Sequence, residues 1–214
     1  MNKIHSKRDG SLQKLAAFCD GAEAVLSIRE SLSGEKNPEI WQKKISLWRR
    51  GIFRVVVMGE CKKGKSSFIN ALLGTPGLLP VSSDIATSTI FKISYGEKAA
   101  YRVFFTLESR KEPLEITVGE LASYGTEDGN PGNEKNVAFI HVTYPSSILK
   151  DGLVIIDTPG LGGVFSDHKR ITYEYVPRSD AVFLVTESSG SPLGDAEMLL
   201  LDDLKKVTNF VGLN

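Results

Sequence analysis

Apolar residues in this chain fall into short runs separated by polar, glycine-bearing turns, and two periodicities can be read from them. Ile52-Phe53-Arg54-Val55-Val56-Val57-Met58 is β-branched and almost wholly apolar, the pattern of a strand buried on both faces of a sheet. Leu153-Val154-Ile155-Ile156 and Ser179-Asp180-Ala181-Val182-Phe183-Leu184-Val185 read the same way, as does the strand-like Ile90-Phe91-Lys92-Ile93-Ser94-Tyr95. Helical spacing appears elsewhere. Ser11 to Leu32 places Leu12, Leu15, Cys19, Ala22, Val25, Leu26 and Leu32 near one stripe, broken only by Gly21. A second helix opens with Asn37 as cap and Pro38 at its first position, and then carries Trp41, Ile45 and Trp48. Phe68 to Leu73 has no breaker and follows a glycine turn as a helix would, and Asp195 to Lys206 is amphipathic, with Met198, Leu199 and Leu201 set against Asp202 and Lys205. A further strand is expected from Val207 to Leu213. An insertion at 101–136 holds an added strand, Tyr101-Arg102-Val103-Phe104-Phe105-Thr106, and a turn-rich loop at 126–133 that reads as a surface connection. Strands alternating with helices predict an α/β domain at 51–214: three layers, a mostly parallel mixed sheet and helices on both faces. A helical segment at 1–50 precedes it.

The turn after the first strand carries the chemistry. Gly59-Glu60-Cys61-Lys62-Lys63-Gly64-Lys65-Ser66-Ser67 fits G-x-x-x-x-G-K-[ST] between a buried strand and a helix, the context in which that pattern is a phosphate-binding loop. Gly59 and Gly64 let successive backbone N–H groups converge on a phosphate, and the helix that follows adds the positive end of its dipole. Lys65 then bridges the β- and γ-phosphates and the Ser66 hydroxyl ligates Mg²⁺, so the implied ligand is a nucleoside triphosphate. Far downstream a second buried strand runs into Asp157-Thr158-Pro159-Gly160. Such an aspartate holds the metal in P-loop NTPases, and the glycine gives its N–H to the γ-phosphate. Between the two motifs lies a small, polar stretch with Thr87, Ser88 and Thr89, where a hydroxyl can complete the metal shell and report the γ-phosphate. Thr87 is preferred, with Ser88 and Thr89 as rivals.

Four stretches together resemble the G domain of the dynamin superfamily, its bacterial dynamin-like branch in particular. They are the loop continuing through Phe68-Ile69-Asn70-Ala71-Leu72-Leu73-Gly74, Leu79-Pro80 followed by the threonine-bearing 86–89, Tyr144-Pro145-Ser146 leading to Asp157-Thr158-Pro159-Gly160-Leu161, and 179–185. The resemblance covers residues 52 to 214. It implies a P-loop GTPase that takes GTP with Mg²⁺ held by Ser66, Thr87 and Asp157, with Lys62, Lys65, Thr87 and Gly160 as the catalytic set. It also implies a homodimer through the G domain, and membrane remodelling through regions absent from this chain. Leu161 stands where Ras-like proteins carry the glutamine that orients water. Cys61 and Lys62 occupy the places of a Gln and a Ser that share this work in dynamin, and Lys62 matches an arginine finger in guanylate-binding and atlastin-type relatives. Lys62 therefore has two readings: a charge-neutralising group acting when two G domains meet, weaker than arginine for want of a planar fork, or a solvated lysine that raises phosphate affinity. The resemblance further makes Asn214 the first residue of an Asn/Thr-Lys-x-Asp base-reading motif, so the domain is expected to be incomplete at its C-terminus. It likens the two N-terminal helices to part of a neck bundle, and the alternative is that they fold on their own G domain.

Composition sets bounds. Lys plus Arg and Asp plus Glu are 26 each in 214 residues, which leaves no basic footprint for nucleic acid. No run approaches the ~20 apolar residues of a membrane span. Cys19 and Cys61 are too few for a disulfide framework, and His5, His141 and His168 lack metal-ligand spacing. A cytoplasmic protein, peripheral to membrane when complete, is expected. Cys61 sits at a helix N-terminus beside two lysines, which favours a reactive thiolate, against the plainer reading of a small filler. Two rival functions remain at this level. One is a nucleotide-binding remnant or scaffold without turnover, and the other a ribosome-assembly-type P-loop GTPase, against which Tyr144-Pro145-Ser146 argues.

Overall fold

A computed structural model describes residues 14–24, 38–81, 87–109, 111–160, 174–186 and 194–208. The chain divides into two compact units, Met1–Phe53 and Arg54–Asn214. In the first, residues 14–24 form helix α1 and Pro38–Arg49 form α2. Phe18 and Trp48 meet with ring centroids 5.8 Å apart, and Arg49 Nη2 donates to Asp20 Oδ1 at 2.6 Å and Glu23 Oε2 at 2.8 Å. Cys19 and Ile45 are fully buried, as their stripes predict, while Trp41 is exposed beneath the Lys44 ammonium. Leu12, Val25, Leu26, Leu32 and Asn37 lie outside the described residues.

The second unit is built on one mixed sheet of seven strands. They are β1 (Phe53–Met58), β2 (Phe91–Tyr95), β3 (Ala100–Phe105), β4 (Leu114–Ile116), β5 (Val137–Tyr144), β6 (Leu153–Asp157) and β7 (Ala181–Leu184), in the spatial order β4-β3-β5-β2-β6-β1-β7. β1 runs parallel to β7 and β2 to β5, while β2–β6, β3–β4 and β3–β5 are antiparallel. Helices α3 (Lys65–Leu72), α4 (Ala122–Gly125), α5 (Ser147–Lys150) and α6 (Asp195–Thr208) accompany them.

Because side chains alternate along a strand, the central strands feed two cores. Val57 and Ile155 join Ile69 of α3, Leu79, Phe91, Val103, Ile140 and Val142 on one face. Val56, Met58 and Ile156 join Val176 and Leu200 and Leu204 of α6 on the other. Both faces are therefore dry at β1 and β6, and this is why those two runs carry no polar alternation in the sequence.

Three details depart from the sequence expectation. β4 and β5 were not expected: three residues are too short to show alternation in β4, which pairs at the sheet edge with Tyr101 opposite Ile116, and β5 lies outside every run read as a strand. The 126–133 loop runs along the surface, with Asp128, Pro131 and Gly132 exposed, but Thr126 and Asn130 within it are buried. Asn130 donates to Asn133 Oδ1 at 2.9 Å and accepts the Lys135 N–H at 2.9 Å, so its turn-forming residues bond inward. Finally, α6 continues through Val207 and Thr208, where a strand was expected to begin; 209–214 lie outside the described residues.

One side chain fixes the path from α3 towards Thr87. Asn70 donates from Nδ2 to Leu79 O at 3.0 Å and accepts the Leu79 N–H at 2.9 Å, all of it buried. Asn70→Ala strands both backbone groups of Leu79 without a partner, so it is expected to cost about 2–3 kcal/mol. Urea denaturation should show a lower midpoint with an unchanged slope.

Candidate functional site

β1 and β6 are neighbours in the sheet, and both candidate motifs begin where these strands end. The loop at 59–64 leaves β1 and closes on Gly64, whose φ of 87° caps α3, with the Phe68 N–H donating to Gly64 O at 2.8 Å. Two glycines are required by close approach. A Cβ on Gly59 would lie 2.2 Å from Val185 O beyond β7, and one on Gly160 would lie 2.3 Å from Cys61 Cα. Any side chain at 160 would push the loop off the end of β6.

Lys65 is buried at the first turn of α3, and its ammonium donates back into the loop, to Gly59 O at 3.2 Å and Glu60 O at 2.7 Å. Burial lowers its pKa, an effect opposed chiefly by the charge of Asp157. The ammonium thus braces the arch of the loop from inside, with only neutral carbonyls as its hydrogen-bond acceptors.

Ser66 joins the two motifs. Its Oγ donates to Asp157 Oδ2 at 2.6 Å and lies 3.5 Å from Thr87 Oγ1. Asp157 is completely buried and its Oδ1 has no partner among the described residues. Burial raises its pKa to about 6, against the Ser66 hydrogen bond, the Lys65 charge and the Thr158 backbone. A buried carboxylate oxygen without a donor is costly, and a cation removes that cost. The donors gathered here are one carboxylate and two hydroxyls, all oxygen, which suits Mg²⁺: it is a hard ion that keeps waters and takes phosphate oxygens to fill its shell. No cluster of three His, Cys, Asp or Glu occurs among the described residues.

The structure thus brings together Gly59, Glu60, Cys61, Gly64, Lys65, Ser66, Thr87, Asp157 and Gly160. Of the three candidate hydroxyls, Thr87 is the one placed beside Ser66; the Ser88 Oγ is buried without a hydrogen-bond partner among the described residues, and Thr89 is buried. Lys63 lies 3.9 Å from the Glu60 carboxylate. Lys62 is exposed in the loop with φ of 61°, and Ser67 is exposed on α3. Thr158 was not singled out from the sequence, yet its Oγ1 donates to Val57 O at 2.9 Å and ties the end of β6 to β1. The only signal for it was its place inside Asp157-Thr158-Pro159-Gly160.

The raised pKa of Asp157 has a definite sign in stability. Below its ordinary value of 3.8 the carboxyl is protonated folded and unfolded alike; as pH rises from there through about 6 the unfolded chain ionises first, and stability is lost. Asp157→Asn escapes this loss. Without nucleotide or metal, the variant should therefore gain on the parent by about 2 kcal/mol between pH 4.5 and pH 7.5 in urea melts. A difference that stays flat with pH would count against the burial of this charge.

Residues 55–207 match the model of the dynamin family. A protein from the xynA 3′ region of Caldicellulosiruptor sp., itself uncharacterized, is 39% identical over 176 residues, which is 80% of this chain and 42% of that one. The isoniazid-induced protein IniA of Mycobacterium tuberculosis is 33% identical over 138 residues, 64% of this chain and 21% of IniA. The bacterial dynamin-like protein of Nostoc punctiforme is 27% identical over 195 residues, covering 87% and 28%. Among solved structures, an oligomerised bacterial dynamin pair, described as a mechanism for long-range sensing and tethering of membranes, superposes with a TM-score of 0.53 at 18% identity. That match covers 92% of this chain and 44% of the other, and shows a shared fold. The chain spans less than half the length of these relatives.

Proposed function

Since the chain belongs to the dynamin family, we propose that residues 51–214 act as a GTPase domain and residues 1–50 as a neck-like helical segment. The domain binds GTP with Mg²⁺, hydrolyses it by in-line attack of water, and couples the cycle to G-domain dimerisation and membrane remodelling in the full-length protein. The observation that carries this reading is the Ser66–Asp157 pair, with the partnerless Asp157 Oδ1 beside a phosphate-binding loop.

Each residue has a task under this reading. Backbone N–H groups of 60–65 cradle the β-phosphate, and Lys65 exchanges its carbonyl acceptors at Gly59 and Glu60 for β- and γ-phosphate oxygens. Ser66, Asp157 and Thr87 hold the metal, which when bound neutralises charge on the phosphates. The Gly160 N–H meets the γ-phosphate. Lys62, exposed in the loop, neutralises charge developing between the β- and γ-phosphates when two domains meet. Preference for guanine rests on family membership. No described helix is long and apolar enough to cross a membrane.

Calorimetry of the full-length protein with GTP and magnesium should show binding that Lys65→Ala weakens by about 30-fold or more, as expected when charge-assisted contacts worth about 2 kcal/mol are lost. No heat with any nucleotide, or an indifferent Lys65→Ala, would overturn the reading. For Lys62→Ala, turnover at saturating GTP should fall about ten-fold while affinity changes little. Weaker affinity with unchanged turnover would remove Lys62 from catalysis.

A further inference from the structure

We propose that the turn Gly125–Thr126, contributed by the central insertion, is a positioning strap that holds Thr87 against Ser66. This rests on the reading of Thr87 as a metal-site hydroxyl. Thr87 pairs with Thr126 in an isolated antiparallel bridge, and the Ser88 N–H donates to Gly125 O at 3.0 Å. Two consecutive residues of the switch-like stretch are thus held by two consecutive residues of the insertion. These are main-chain contacts, so they fix where the Thr87 backbone runs and leave its hydroxyl free to face Ser66.

The strap is itself immobilised. Thr126 is 2% exposed; its N–H and Oγ1 both donate to Ala122 O, at 3.2 and 2.7 Å, and its Oγ1 accepts the Gly129 N–H at 3.2 Å. Its own carbonyl accepts the Asn130 N–H at 2.9 Å, and the Gly125 N–H donates to Leu121 O at 2.9 Å. The turn also lies flat on the sheet: a Cβ on Gly125 would sit 2.4 Å from Cζ of Phe91. Phe91 is in turn the residue opposite Asp157 in the β2–β6 pairing. The strap therefore references Thr87 to the strand pair that sets Asp157, so that two candidate oxygen donors from distant parts of the chain share one rigid frame.

The test uses the full-length protein and variants that leave the nucleotide loop untouched. Thr126→Ala removes the buried hydroxyl that fastens the strap, and Thr126→Ser keeps it. Gly125→Ala drives a methyl into Phe91, and adding Phe91→Leu makes room for it. Thr126→Ala and Gly125→Ala should each lower kcat for GTP about ten-fold, since small misplacements of a reacting group carry penalties of this order. They should raise the magnesium concentration for half-maximal turnover and leave GDP affinity unchanged. In the nucleotide-free protein, hydrogen exchange at the Ser88 amide should accelerate. Thr126→Ser and the Gly125→Ala/Phe91→Leu pair should recover all three readouts, and recovery by either pair suffices should one single variant fail to fold. Wild-type turnover and magnesium requirement in a folded Thr126→Ala or Gly125→Ala protein would overturn the strap alone. Parallel losses of GDP and GTP affinity would do the same. An unmodified protein that binds no nucleotide would overturn the GTPase reading and the strap with it.

Discussion

The hydrogen bond from Ser66 to Asp157 joins residues 91 positions apart and constrains nearly everything around it. For Ser66 Oγ to reach the carboxylate at 2.6 Å, β1 and β6 must be neighbours and end at one level, and the loop between β1 and α3 must arch over the end of β6 without obstruction. Thr158 meets the first demand by bonding to Val57 O across the strand pair. Gly160 meets the second, because only a residue without a side chain fits beneath Cys61. The sheet order follows from the same need: β1 is flanked by β6 and β7, whose ends supply Asp157 on one side and the Val185 carbonyl packed on Gly59 on the other.

This arrangement concentrates unfavourable terms in a small volume. A fully buried carboxylate with one bare oxygen and a buried lysine whose hydrogen-bond acceptors are carbonyls would each be poor choices for stability alone. Their mutual attraction offsets part of the loss, and the two dry cores on either face of β1 and β6 hold the strands in place against the rest. The ligand proposed above would relieve this local cost, a cation at Asp157 and anionic oxygens at Lys65.

What the sequence disclosed and what it concealed divide by range. The β1 run, the loop and Asp157 were legible because each is encoded by neighbours: apolar β-branched strands, glycines at fixed offsets, an aspartate closing a buried strand. The α/β class with a mixed sheet followed from the same signals, and the family match and the shared fold agree with it. Local pattern alone left Ser88 and Thr89 as rivals to Thr87, since all three are small hydroxyl residues in one polar stretch; the family resemblance favoured Thr87, and Thr87 is the one found beside Ser66 and bridged to Thr126. The burial of Thr126 and Asn130 within a surface loop was hidden for a related reason. Asn, Asp, Gly and Pro mark turns whether the turn faces water or bonds to its own backbone, and here it does the latter. At Val207 and Thr208 β-branched residues suggested a strand, but they complete the last turn of α6, whose Leu200 and Leu204 are anchored in the core.

The central insertion acquires a structural logic from the same geometry. β3 and β4 extend the sheet at the edge far from β1, which taken alone would place residues 101–136 away from the site. Yet the chain must return from β4 to enter β5, and on that return α4 and the turn after it lie over Phe91 and meet Thr87. β2 is the strand that makes this possible. It lies between β5 and β6, so one of its edges faces the strand the insertion leads into and the other faces the strand that ends in Asp157. An element added at one edge of the sheet can therefore act at its centre without any long-range distortion, through a single buried ring and two backbone contacts.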